Sequence, residues 1–319
     1  MTVSDPSHSA APTRRHAAVV LALAVFGIAW AAPLIRLSTA TPLVIAGWRL
    51  VIAESVLLVL LVSRGEWRVW RRMPARDHGI AAGAGGMLAL HFWSWNASLG
   101  YTTVAASVVL VNLQPALVAA GSVWLLRERA TRRQVVGLAV GIAGALLVAV
   151  PSLQGGQSLA GLASSAPLGI PPRLFGNLLA LVGAVTAALY YLAGRRLRAG
   201  LDLVPYVALV YGWCTLAVLL LAIVTGERLV PWPAQDWAIF VGLAAGPMLL
   251  GHTGMNWALR HLPAHVVNLT VLGEPVGASI LAMLIPAIGE RPDLWTVAGG
   301  ILILAGAIWA LGGGSEEAV

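Results

Sequence analysis

A carboxylate stands in the middle of an apolar run where Glu274 precedes Pro275, and 160 residues earlier a carboxamide, Gln114, precedes Pro115. If these runs cross a membrane, an acidic side chain at the centre costs about 2.5 to 3.5 kcal/mol and calls for a partner or a function. Glu274 can bind a substrate ammonium or a transported proton; its bland alternative is a structural hydrogen bond or ion pair to another helix. Each proline deletes an N–H and crowds the carbonyl four residues back, so Val111 and Val271 are expected to hold loosened acceptors. Matched interruptions of this kind point to a binding site at the membrane midplane, against the alternative of a simple kink.

Other polar side chains are candidates for the same site. Arg49 and Glu54 lie five residues apart in one run, about 140° apart around a helix, and so do not share a face. Arg49 can pair with Glu274 or meet a substrate carboxylate, while Glu54 has no assigned role. His91 and Trp95 are four apart and share a face, as do His252 and Asn256. Asn96, Asn112 and Tyr190 complete the set of candidate substrate-binding residues, with Trp30, Trp93, Tyr191 and Asn268 as further lining. For any one of them the alternative is interhelical packing with one satisfied hydrogen bond.

Some chemistry is excluded. The chain has no Lys, so it has no Walker A lysine and cannot be a P-loop ATP-driven pump. His261 and His265 are four apart, but Pro263 between them spoils a helical metal site, and neither a metal nor a cofactor is expected. No Ser/His/Asp or Cys/His set presents itself in the sequence. Cys214, the single cysteine, excludes an intrachain disulfide and reads as a packed thiol.

The elements that must position these residues follow from composition. Hydrophobic residues make up 59% and charged residues 10% of 319, a balance that belongs in lipid. Ten apolar runs are expected to cross a bilayer as helices, centred near Val25, Ile52, Ala89, Pro115, Ala143, Val182, Trp213, Ala245, Pro275 and Leu302. Gly and Ala within them suit close helix packing and make a β-barrel a poor reading. The net charge of +7 suggests nucleic acid until its placement is considered. Of the 20 arginines, 15 fall in alternate connections, which predicts cytoplasmic termini and no nucleic-acid role. Trp67 and Trp70, in one Arg-rich connection, then read as interfacial anchors. Arg14 and Arg15 ahead of Ala29-Trp30-Ala31 also fit a cleaved signal peptide, but cleavage would remove the first span and break the symmetry described next.

The chain is a duplication. NASLGYTTVAASVVLVNLQP, from Asn96 to Pro115, is answered by NWALRHLPAHVVNLTVLGEP, from Asn256 to Pro275. Further on, Glu128 matches Glu290, Gly137 matches Gly299 and Gly144 matches Gly306. Five spans per half is an odd number, so the second half enters the membrane from the opposite side and the repeats are inverted. The expected division is residues 1–151, an extracytoplasmic Gly/Ser/Pro-rich linker over 152–172, and residues 173–319.

These features carry a resemblance. The PLVIAGWRLVIAE stretch, the two Asn-to-Pro blocks, the Glu128 and Glu290 motifs and the glycines of spans five and ten together resemble the EamA-like group of the drug/metabolite transporter superfamily. The resemblance implies an all-α polytopic inner-membrane carrier with ten transmembrane helices in two inverted five-helix repeats, often an exporter of amino acids or other small metabolites. Sugar-phosphate carriers of the superfamily use lysines within their spans, and this chain has none. The expectation is a secondary transporter of a small organic solute, working by alternating access, with Glu274 binding either a coupling proton or the solute's ammonium and no oligomer required. A membrane-embedded enzyme and a non-transporting receptor or scaffold are the rival classes.

Overall fold

The computed structural model describes residues 14–125, 132–153, 162–198, 200–258 and 271–311. Glu128, the His261 and His265 pair and Asn268 lie outside those residues. The described chain is helical, with no strand among the described residues.

Span one is Arg14–Ala29 continued by Ala31–Leu37, span two Pro42–Ser63 and span three Ala75–Ser98. Span four is divided into Val104–Val111 and Gln114–Leu125, and span five is Arg132–Leu153. The second half runs through Pro172–Arg198, Leu203–Val224, a composite eighth span, Gly273–Leu284 and Leu294–Leu311. The eighth span joins Ala234–Leu243 and Gly254–Ala258 through a π-helical stretch, Ala244–Thr253, that contains Pro247. Proline cannot donate to the α ladder, and the wider π turn accommodates its missing N–H.

Five of these helices are long and apolar enough to cross a membrane alone: Val19–Leu37, Pro42–Ser63, Pro172–Arg198, Leu203–Val224 and Ala234–Ala258. Val104–Val118, Val135–Pro151, Gly273–Leu284 and Leu294–Trp309 are shorter apolar stretches. Ala75–Ser98 has the length but opens on Arg76, Asp77 and His78.

Local signals set several helix starts. Thr103 Oγ1 accepts the Ala106 N–H at 3.2 Å ahead of Val104–Val111, and Asp293 Oδ1 accepts the Thr296 N–H at 2.8 Å ahead of Leu294–Leu311. Pro42 begins span two, where a missing N–H costs nothing. Leu178, Val182, Val185 and Leu189 of span six are exposed at helical spacing, the apolar stripe a lipid-facing helix presents, while Ala180, Ala184 and Ala187 of the same helix are buried.

The packing has the pattern of an inverted two-fold. Spans two and seven pack together, as do four and nine, and five and ten, each pair relating equivalent helices of the two halves. Span three packs on six and span one on eight, a pair of contacts that the same operation exchanges. The glycines state it at atomic scale. A methyl added at Gly299 would sit 2.5 Å from the Gly144 carbonyl oxygen, and one at Gly306 would sit 2.5 Å from the Gly137 carbonyl oxygen. Gly137 is the counterpart of Gly299 and Gly144 of Gly306, so these two contacts are one contact repeated. Backbones approach this closely only where no side chain intervenes, the usual route to helix association in lipid.

Candidate functional site

Both broken spans break where their prolines require it. In span four the helix stops at Val111, and Asn112 and Leu113 form a turn ahead of Gln114 and Pro115. Asn112 Nδ2 donates back to the Val108 carbonyl at 2.9 Å, a side chain standing in for ladder donors near the break. In span nine the turn falls at Leu272, just before Gly273, Glu274 and Pro275. The two interruptions meet: Asn112 Nδ2 lies 3.5 Å from Glu274 Oε2, and both side chains are buried.

Beside this junction is a narrow pocket, partly open, with room for one or two waters. Leu88, His91, Phe92 and Gln114 line it from the first half, and Ala187, Tyr190, Tyr191, Tyr211 and His252 from the second. His91 Nδ1 is 2.9 Å from the Gly183 carbonyl oxygen. A carbonyl only accepts, so Nδ1 carries the proton and Nε2 is left as an acceptor in the neutral ring. Tyr190 and Tyr206 share a side-chain hydrogen bond, and the rings of Tyr190 and Tyr191 lie 4.9 Å apart.

Arg49 is 1% exposed, and its guanidinium carbon lies 3.7 Å from the centroid of the Phe92 ring. Its Nε and Nη1 have no hydrogen-bond partner. The ion pair with Glu274 that the sequence allowed is not made: the ion pairs among the described residues are Arg36–Glu290 and Arg173–Asp293. Spans two and nine do not bring the two charges together, because Arg49 is turned onto Phe92 of span three and Glu274 onto Asn112 of span four. Glu54 is buried, with Oε2 unpartnered and Oε1 3.5 Å from where a Cβ on Gly212 would stand.

Of the residues singled out in the sequence, His91, Gln114, Tyr190, Tyr191 and His252 lie on the described wall, and Asn112 and Glu274 form the junction beside it. Arg49, Trp95, Asn96 and Asn256 do not lie on that wall. Trp95 is buried behind His91, the two rings stacked with centroids 6.1 Å apart and planes 10° from parallel. Asn96 Nδ2 is taken up by the Pro42 carbonyl at 3.1 Å, and Asn256 Nδ2 by the His252 carbonyl at 2.8 Å. Sharing a helix face was a correct relation for His91 and Trp95, but it did not say which of them meets the cavity.

Phe92 and Tyr211, both on the wall, were missed. Nothing in an apolar run distinguishes a cavity-lining aromatic from a packed one. A second omission is the polar seam on the linker side of the molecule. Arg36 Nη2 lies 3.1 Å from Glu290 Oε1, Glu290 Oε2 accepts the Val104 N–H at 2.7 Å, and Arg36 Nη1 donates to the Leu99 carbonyl. Asp236 accepts from Ser38 Oγ at 2.5 Å and from the Thr39 amide and hydroxyl at 2.9 and 2.6 Å. These groups sit at span ends far apart in sequence, so spacing carried no signal of their meeting.

The architecture and site define a polytopic helical membrane protein of two inverted repeats, with a cavity drawn from both. The profile of the EamA-like transporter family matches residues 15–150 and 174–312. The chain therefore belongs to that family, within the drug/metabolite transporter superfamily. It is similar to the uncharacterized transporter YyaM of Bacillus subtilis strain 168, with 26% identity over 273 residues, 84% of this chain and 83% of that protein. It is also similar to an uncharacterized transporter of Archaeoglobus fulgidus, with 24% identity over 299 residues, 90% of this chain and 94% of that one. A solved crystal structure with 22% identity shares the fold at a TM-score of 0.61, over 93% of this chain and 98% of that chain. Family and relatives point to transport and not to catalysis.

Proposed function

We propose that the protein is a secondary transporter that carries a small organic metabolite, an amino acid or similar solute, across the inner membrane in the direction of export by alternating access. The observation that carries this reading is that one narrow pocket takes its wall from both inverted repeats, so rocking residues 1–151 against 173–319 would expose it first to one side and then to the other. The polar seam of Arg36, Glu290 and Asp236 supports a state closed on the linker side, with the cavity to be reached from the Arg-rich side. Both termini are then cytoplasmic, as the arginine placement requires. Glu274, buried at the junction of the two broken spans, is the group that takes up the coupling proton or the solute's ammonium, with Asn112 positioning it.

Flux through purified protein in liposomes tests this. A panel of amino acids and small metabolites is offered with and without a proton gradient, and at least one solute should move, faster with the gradient. Absence of flux for every solute rejects the reading, and catalytic turnover without flux would favour a membrane-embedded enzyme.

A further inference from the structure

We propose that Glu54 is a proton-binding carboxyl distinct from Glu274, held as the neutral acid between spans two and seven and loaded and unloaded as the two repeats move. Its place in the cycle rests on the transporter reading; its protonation does not. Glu54 stands just past the middle of Pro42–Ser63, is 7% exposed, and leaves Oε2 buried without a hydrogen-bond partner. It has no ion pair: those among the described residues are Arg36–Glu290 and Arg173–Asp293. An isolated carboxylate at this depth is too costly to persist, so the side chain keeps a proton in place of a charge.

The internal repeat shows that packing does not need an acid here. Gly47-Trp48 of span two recurs as Gly212-Trp213 of span seven, and seven residues after each glycine come Glu54 and Leu219. Leu219 Cδ2 lies 3.3 Å from where a Cβ on Gly47 would stand, and Glu54 Oε1 lies 3.5 Å from where one on Gly212 would stand. The inverted two-fold thus makes one contact twice, with leucine in one copy and glutamate in the other. A group that only filled the space would be apolar in both. Spans two and seven pack across the boundary between the repeats, so a rocking motion that parts them would wet Oε2 and let the proton go, and their return would take it back.

The titratable neighbours leave this carboxyl unpaired. Cys214 of span seven is within electrostatic reach of it. Arg49, on the same helix but about 140° round it, is turned onto Phe92 of span three. Tyr211 of span seven, His91 of span three and His252 of the eighth span lie within reach of Arg49, and none of them reaches Glu54.

Infrared spectroscopy of the purified full chain at neutral pH reads the proton directly. The carbonyl band of an un-ionised carboxyl should be lost in Glu54→Leu and in Glu54→Gln, and the same loss on a Glu274→Gln background separates it from Glu274. Glu54→Leu should melt no lower than the native protein, because it places there the residue that the other repeat uses. In liposomes it should retain solute exchange and lose gradient-driven flux, both carboxyls serving one cycle that fails without either. Absence of a Glu54-dependent band overturns the proposal, since the side chain is then ionised. So does unchanged gradient-driven flux, or a fall of exchange and melting temperature together in both variants, which marks a structural group. A Glu54-dependent band with no native flux of any solute sinks the transporter reading and leaves the proton site.

Discussion

Arg36 and Glu290 lie at opposite ends of the chain's folded region, yet Nη2 of one stands 3.1 Å from Oε1 of the other, tying the end of span one to the connection ahead of span ten. Each also holds a backbone group: Arg36 the Leu99 carbonyl, Glu290 the Val104 N–H. Glu290→Ala should therefore lower stability by about 3 kcal/mol, the cost of stranding one partner of a nearly buried pair. Glu290→Gln should cost less, because its amide oxygen still accepts from Val104. Exchanging the charges, Arg36→Glu with Glu290→Arg, should not restore stability, since neither new side chain can serve its backbone partner. Thermal unfolding in detergent measures all three, and full rescue by the exchange would contradict this account.

The glycine contacts between spans five and ten make a symmetric prediction. Gly299→Ala and Gly144→Ala each force a methyl against a carbonyl at about the same distance, 2.5 and 2.6 Å, and should each destabilise by about 1–3 kcal/mol. Gly83→Ala and Gly86→Ala have nothing within 4 Å and should be neutral or slightly stabilising. Melting temperatures of the four variants check whether close approach, and not helix propensity, decides the sign.

Glu274→Gln keeps the shape of the side chain and an oxygen for Asn112, but removes titration. The variant should insert and fold normally, lose gradient-driven flux and lose the pH dependence of uptake, retaining solute exchange if its role is proton coupling alone. Native pH dependence in proteoliposomes would leave Glu274 a structural partner of Asn112.

Trp95→Ala removes a buried ring that stacks on His91, and should lower stability by about 3–5 kcal/mol. Trp95→Phe, which keeps an aromatic face behind His91, should recover most of the loss. Solute affinity measured on the surviving Trp95→Ala protein should fall only as far as His91 loosens; a large affinity loss with unchanged melting would place Trp95 in contact with solute.

Topology can be read by thiol labelling, because the single native cysteine, Cys214, is buried and should be silent. A cysteine at the exposed Leu168 should react with an impermeant reagent in intact cells, and one at Arg68 should not. The reverse pattern would invert the orientation.

The sequence by itself determined the solvent, the duplication, the inversion and the two helix breaks. These are one-dimensional facts: an apolar run long enough for a bilayer, a motif that recurs, an odd number of spans, a proline with no N–H to donate. Pro115 and Pro275 broke their helices because the cause is local to the backbone. What only the tertiary structure decided was which way each side chain faces. A helix apolar on every side gives no periodic stripe from which to read its inner face, so Trp95 fell behind His91, and Phe92 and Tyr211 reached the cavity unannounced. Arg49 and Glu274 illustrate the limit most directly. Sequence showed two opposite charges in apolar spans and allowed them to pair; packing turned one onto Phe92 and the other onto Asn112, and so left Arg49 Nε and Nη1 without hydrogen-bond partners.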